Sequence, residues 1–230
     1  QAPTERVPFT GMRGTIAERM AASLDTMAQL TLDMSADLDA VVALREELAD
    51  EMPADGRPGY TDFVIAAAAR ALRQHPVVNS QVRADHLELL PDVHVGMAVA
   101  VEDGLVVPVI EHADTLAVTD LSVETSRLAA AARDRTLTLD ELSGGTFSVT
   151  ALGMFGVDSF TPVINPPNTA VLGIGRLRDD TVWDDGSPRP ARRLTLSLTW
   201  DHRAFDGAPA ASFCRTICEI LAEPRQLLPA

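Results

Sequence analysis

The stretch RLTLSLTWDHRAFDGAPAASFC, residues 193–214, carries the reading of this chain. Its first half alternates. Leu194, Leu196, Leu198 and Trp200 fall on one face of a strand, and Thr195, Ser197 and Thr199 on the other. The alternation stops at Asp201, and His202, Arg203, Asp206 and Gly207 follow before a helical pattern takes over. By the period-two count His202 lies on the leucine face. A histidine brought to the core side of a strand end, between two aspartates, must be hydrogen-bonded or titrating. Two readings are open at this point: a satisfied core histidine, or a catalytic base.

Working outward, the pattern predicts a mixture of helices and strands. Residues 1–10 read as an extended polar arm with Pro3 and Pro8, and the remainder, 11–230, as one domain. Ile16, Met20, Leu24 and Met27 recur at helical spacing from Gly11 onward. A strand over 28–37 follows, then a helix over 38–52 with Asp37 or Asp39 as cap. After the loop 53–59 comes an alanine-rich, buried helix over 61–76, capped by Thr61 or Asp62 and stopped by Pro76. Residues 77–90 read as a short hairpin. Strands at 94–101 and 105–110 flank an Asp103-Gly104 turn, a hairpin signal. A helix is expected over 118–135 and a short one at 138–142. Strands are expected at 145–152, 170–177, 181–183 and 192–200, and a last helix at 208–222. Hairpins and crossovers together predict an α/β fold: a two-layer sandwich of a mixed sheet and packed helices.

Composition excludes several functions. The net charge of −14 argues against a nucleic-acid surface. No apolar run is long enough to span a bilayer. All 19 basic residues are arginine, so the chain forms no lysine Schiff base, has no P-loop and carries no lipoate or biotin of its own. A lysine-bound carrier would have to lie outside these residues. The chain begins with Gln1 and shows no secretory signal, and it reads as a fragment or a processed piece. Cys214 and Cys218 share a helix face and fit neither a redox nor a zinc pattern. They read as small buried side chains in a reducing compartment, the cytoplasm. Arg176, Arg178, Arg189, Arg192 and Arg193 form either a local basic rim or scattered surface charge.

Of the other histidines, His75 ends a helix where a cation suits the dipole. His86 and His112 sit among turn residues, and His94 starts a strand. His202 and Asp206 alone are too few ligands for a metal, and none is expected. There is no G-x-S-x-G elbow. A histidine base without a serine nucleophile points to a nucleophile belonging to the substrate, a thiol or an alcohol.

DHRAFDGAPAASF resembles the DHRxxDG motif of the dihydrolipoyl acyltransferase components of 2-oxo acid dehydrogenase complexes, and the HHxxxDG motif of the related chloramphenicol acetyltransferase. GMRGTIAERMAASL, VGMAVAVEDGLVVPVI and GGTFSVTALGMFGVDSFTPVINPPNTAVLGIG resemble other segments of that family, in order, over about residues 7–228. The resemblance implies a chloramphenicol-acetyltransferase-like fold. It implies acyl transfer between a dihydrolipoyl-lysine carrier and coenzyme A, with His202 as the general base on the incoming thiol. Asp206 is implied to be structural, paired with an arginine near the N-terminus, Arg13 or secondarily Arg19.

The family's oxyanion-binding serine, in TFTISNLG, matches Thr150 in TFSVTALG. A threonine donates the same bond with a stiffer side chain, and Ser148, on the same strand face, is the alternative donor. The loop 152–167 is implied to wall a channel that the pantetheine and lipoyl arms enter from opposite ends, with Met154, Phe155, Phe160 and Asn165 lining it.

The resemblance further implies homotrimers with sites at subunit boundaries, His202 and Thr150 then coming from different subunits. Larger cubic or dodecahedral cores, lipoyl domains and dehydrogenase components are the implied partners, and residues 223–230 the place of trimer–trimer contact. SLDTMAQLTL resembles the acetoin-dehydrogenase members more than the pyruvate type, which implies an acetyl group. Two other roles stay open: an assembly scaffold with weakened catalysis, and a stand-alone CoA-dependent acyltransferase.

Overall fold

The computed structural model describes residues 4–6, 8–52, 56–102 and 104–229. In chain order, helix α1 (Gly11–Thr26) leads into β1 (Gln29–Asp37) and α2 (Asp39–Glu51), then α3 (Tyr60–Gln74). Six short strands follow: β2 (Ser80–Val82), β3 (Leu87–Leu89), β4 (Val95–Met97), β5 (Val99–Val101), β6 (Gly104–Val106) and β7 (Val109–Ile110). Then come α4 (Val118–Asp134), β8 (Phe147–Ala151), β9 (Ala170–Ile174), β10 (Arg178–Asp184), β11 (Ser187–Asp201) and α5 (Gly207–Ala222).

The main sheet runs β1-β11-β9-β8-β4-β7, with β10 added beside β11. β4, β8 and β9 are mutually parallel and the other pairings antiparallel, so the sheet is mixed as expected. Where the sequence reading has two separate strands, 181–183 and 192–200, the structure has one long hairpin. Asp185 and Gly186 both take positive φ, 48° and 79°, between Asp184 and Ser187. That Asp-Gly pair suits the tight turn. The 94–110 hairpin differs the other way. Pro108, which has no N–H, and Ala98, whose N–H goes to Val149 O, interrupt it. β4 and β7 stay in the main sheet, while β5 and β6 form a separate ribbon. Asp103, in its predicted turn, lies outside the described residues.

The two sheet faces differ in chemistry. Leu194, Leu196, Leu198, Trp200, Leu172, Phe147 and Val149 join the main core, under helices that include α3 and α5. α3 is buried almost all round, as its composition predicts, and Ala66–Ala69 have at most 1% exposure. Phe213 on α5 packs edge-on against Phe147 and His75, at 5.7 and 5.9 Å between ring centres. Burying such a ring stabilises by about 2–3 kcal/mol.

The other face carries Thr31, Ser197, Thr199, Ser148 and Thr150. The Thr31 and Thr199 hydroxyls bond each other at 2.7 Å. The long loop after β8 crosses this face: Phe160 sits against Gly173, and a Cβ on Gly175 would come within 2.0 Å of Asp158 O. Only glycine permits that approach.

Two caps differ from expectation. Leu38 occupies the cap of α2, because its N–H is held by Arg192 O on the sheet edge; Asp37 accepts from the Asp39 N–H instead. Gly59 caps α3, earlier than Thr61 or Asp62, and Asp62 reaches back to the Gly59 N–H at 2.7 Å. His75 does end α3. Burial pushes its imidazole pKa down, helped by Arg215, so it serves less as a cation there than as a partner of the Thr216 hydroxyl, 2.8 Å away.

α1 stands apart from the core. Only Ser23 on it is buried, while Met12 and Leu24 are exposed. Its C-terminal end is pinned by the Ser23 hydroxyl, which donates to Ile164 O (2.6 Å), and by Gln29, which bonds Ser23 and Ile164. Toward its other end Met12 and Ile16 rest against Gly104 at the ribbon tip.

Candidate active site

β8 lies between β4 and β9, with Phe147 and Val149 turned into the core. The period of two therefore sends Ser148 and Thr150 to the opposite face, into a cavity of about 780 Å³. Ile16, Arg19 and Met20 of α1 form one wall, Leu139 and Leu142 another, and Phe160 and Asn165 from the long loop a third. Ser148 Oγ accepts a bond from Asn168 Nδ2 at 3.2 Å. The Thr150 hydroxyl has no hydrogen-bond partner among the described residues and opens into the cavity.

His202 stands outside this cavity. β11 ends at Asp201, and the turn that follows carries the imidazole outward, leaving it 40% exposed rather than in the core. The turn is tightly fastened. Asp201 has no exposed surface and accepts from the Ala28 N–H, the Arg203 N–H and the Arg203 guanidinium. His202 N–H donates to Ala28 O at 2.9 Å, and Trp200 Nε1 donates to Phe205 O at 2.9 Å. Burial alone would raise the Asp201 carboxyl, but the bonds from Arg203 and Ala28 hold it below the usual aspartate value.

The expected Asp206–Arg13 pair is not formed within the chain. Asp206 occupies the N-cap position of α5 without a side-chain capping bond and is 84% exposed, with Oδ1 3.6 Å from His202 Nδ1. Arg13 lies by Gly104, and Arg19 lines the cavity. The buried carboxylate–arginine pair beside His202 is instead Asp201–Arg203, two residues of the opening stretch whose role the spacing did not reveal. Met154 and Phe155 do not line this cavity within one chain. The turn Gly153–Phe155, closed by Gly156 at φ 81°, throws both side chains to the surface, at 76% and 71% exposure. Phe160 and Asn165 do line the cavity. Asn168 carried no signal, because only the fold brings it back to Ser148.

The remaining candidates are occupied elsewhere. Arg176 pairs with Asp158, Arg189 with Asp37, Asp39 and Asp184, Arg192 with Asp179, and Arg178 and Arg193 with Asp180, so no unpaired basic rim exists among them. Burial pushes the Cys214 thiol up to about 12 and the Cys218 thiol up to about 11, which leaves neither a nucleophile. Among the described residues no group of three or more His, Cys, Asp or Glu is gathered for a metal ion, and no helix is long and apolar enough to cross a membrane.

Residues 1–229 match the family model described as 2-oxoacid dehydrogenases acyltransferase (catalytic domain). The chain is 46% identical over 228 residues to the dihydrolipoyllysine-residue acetyltransferase component of the acetoin cleaving system of Bacillus subtilis, covering 97% of this chain and 57% of that protein. It is 37% identical to the dihydrolipoyllysine-residue succinyltransferase component of the 2-oxoglutarate dehydrogenase complex of Rickettsia bellii, covering 97% and 56%. The chain thus spans about half the length of the curated relatives it matches.

Among solved structures, it superposes with a TM-score of 0.92 and 31% identity on Azotobacter vinelandii dihydrolipoamide acetyltransferase, whose serine, histidine and asparagine were studied for their catalytic roles; 98% of this chain and 94% of that one are covered. The cubic core of a pyruvate dehydrogenase multienzyme complex gives the same TM-score, identity and coverage. A chloramphenicol acetyltransferase shares the fold, with a TM-score of 0.54 at 12% identity over 89% of this chain and 94% of that one.

Proposed function

The chain belongs to the family of 2-oxoacid dehydrogenase acyltransferase catalytic domains, and from that premise we propose that it moves an acetyl group between a dihydrolipoyl-lysine carrier and coenzyme A, with residues 11–230 as the catalytic domain behind a short arm. One observation carries the assignment of residues. The serine and histidine studied in the Azotobacter enzyme are 52 positions apart, and the asparagine follows the histidine by four. Thr150, His202 and Asp206 have the same spacing. The acetyl group is favoured by the acetoin-system relative, at 46% identity against 37% for the succinyl one.

In this reading the site joins two subunits. His202 of one chain enters the cavity that holds Thr150 of the next. The exposure of Leu105, Leu139 and Leu142 at the cavity supports a covering neighbour. His202 Nδ1 faces Asp206, leaving Nε2 to take the proton from the incoming thiol. A positioned imidazole acting as general base in this way contributes about 10²–10⁴-fold. The thiolate attacks the thioester carbonyl, and Thr150 donates a bond to the tetrahedral oxyanion. Collapse expels the other thiolate, which recovers the proton from the imidazolium.

The cubic-core neighbour supports a trimer-based assembly, served by lipoyl domains and dehydrogenase components. Two unpaired cysteines suit a reducing compartment, the cytoplasm. Threonine in place of serine is the one observation that favours a scaffold with weakened catalysis.

Acetyl transfer between acetyl-CoA and dihydrolipoamide tests the proposal. His202→Ala should lose about 10²–10⁴-fold in turnover. Undiminished turnover in that variant, or no transfer by the wild type, would overturn it.

A further inference from the structure

Two hydroxyls reach the cavity from β8, and the reaction as described uses only one. Ser148 and Thr150 are two residues apart on one strand face, a separation of about 7 Å. A single acceptor atom within about 3 Å of one is out of reach of the other. The pair therefore serves two acceptors, not one oxyanion.

Ser148 is built for donation. It is 6% exposed, and its oxygen already accepts from Asn168 Nδ2, itself on a residue 3% exposed. A hydroxyl whose oxygen accepts from an amide keeps its own proton for another partner. Among the described residues no acceptor takes that proton, while Ser148 lines the cavity. Asn168 thus orients a donor toward the ligand space.

We propose that Ser148, held by Asn168, is a hydrogen-bond donor to the first amide carbonyl of a pantetheine arm whose thiol reacts beside Thr150. That carbonyl follows the sulfur by two methylenes and a nitrogen, a reach comparable to the spacing of the two hydroxyls. A lipoyl arm has no amide so near its sulfurs, so the donor selects the coenzyme A side. The inference rests on the acyl-transfer reading for its ligand, and its effect is on binding, whereas Thr150 acts on the transition state.

The test uses the assembled protein and two independent readouts. Calorimetric binding of pantetheine should weaken about 3- to 10-fold in Ser148→Ala, weaken in the same direction in Asn168→Ala, and stay unchanged in Thr150→Val. In the acetyl-transfer assay Ser148→Ala should raise the KM for coenzyme A by a similar factor at nearly constant kcat, whereas Thr150→Val lowers kcat. Unchanged pantetheine affinity in Ser148→Ala, or a loss of kcat like that of Thr150→Val, would overturn the inference. A wild type that binds pantetheine with this Ser148 dependence but transfers no acetyl group would leave the subsite standing and remove the acyl-transfer reading instead.

Discussion

Asp201 is a carboxylate without exposed surface whose bonds knot the His202 turn to Ala28. Its pKa is held below the usual aspartate value, so the folded state binds its proton less readily than the unfolded chain. The stability it contributes is present above about pH 4 and is lost as pH falls below that value. Asp201→Asn should cost about 1–2 kcal/mol at neutral pH, the half-exposed Arg203 partner limiting the figure. Denaturant titrations from pH 7 down to pH 3 should show the gap between variant and wild type closing. A gap constant across that range would contradict the assignment. At Thr150 the expected cost is chemical. Thr150→Val should lose about 2–4 kcal/mol of transition-state stabilisation, read as kcat with melting temperature unchanged.

At the scale of elements, the long loop after β8 holds its course because Gly175 lets Asp158 pass at backbone contact. Gly175→Ala must displace that loop crossing and should destabilise by about 1–3 kcal/mol, whereas Gly207→Ala, with open space around it and no positive φ, should cost less; thermal melting of the two compares them. The elements themselves were largely legible. Alternation from Leu194 to Trp200 and the helical spacing around α3 and α5 follow from burial of one face, which the chain records residue by residue. What escaped was set by distant partners. The Leu38 cap depends on Arg192, the Ser148 orientation on Asn168, and the outward turn at His202 on Asp201 and Ala28. None of those contacts leaves a periodic trace. The roles proposed for His202 and Thr150 rest on the family resemblance, because a histidine at a strand end and a threonine in a strand have ordinary structural uses.

For the whole molecule, the proposed division of the site between neighbours makes a mixing experiment decisive. His202→Ala and Thr150→Val chains, each nearly inactive, should regain a measurable fraction of acetyl transfer when unfolded and refolded together. Some boundaries then combine an intact histidine from one chain with an intact threonine from the other. No recovery on mixing would place both groups in one subunit. α1 has a different bearing on the assembly. It walls the cavity with Ile16, Arg19 and Met20, yet of all its residues only Ser23 is buried, near the end pinned to Ile164. Substitutions along that wall reshape the cavity while leaving the core's packing untouched. In the proposed reaction, acyl preference can therefore drift through evolution, or be reprogrammed by design, on a segment whose changes carry little cost in folding.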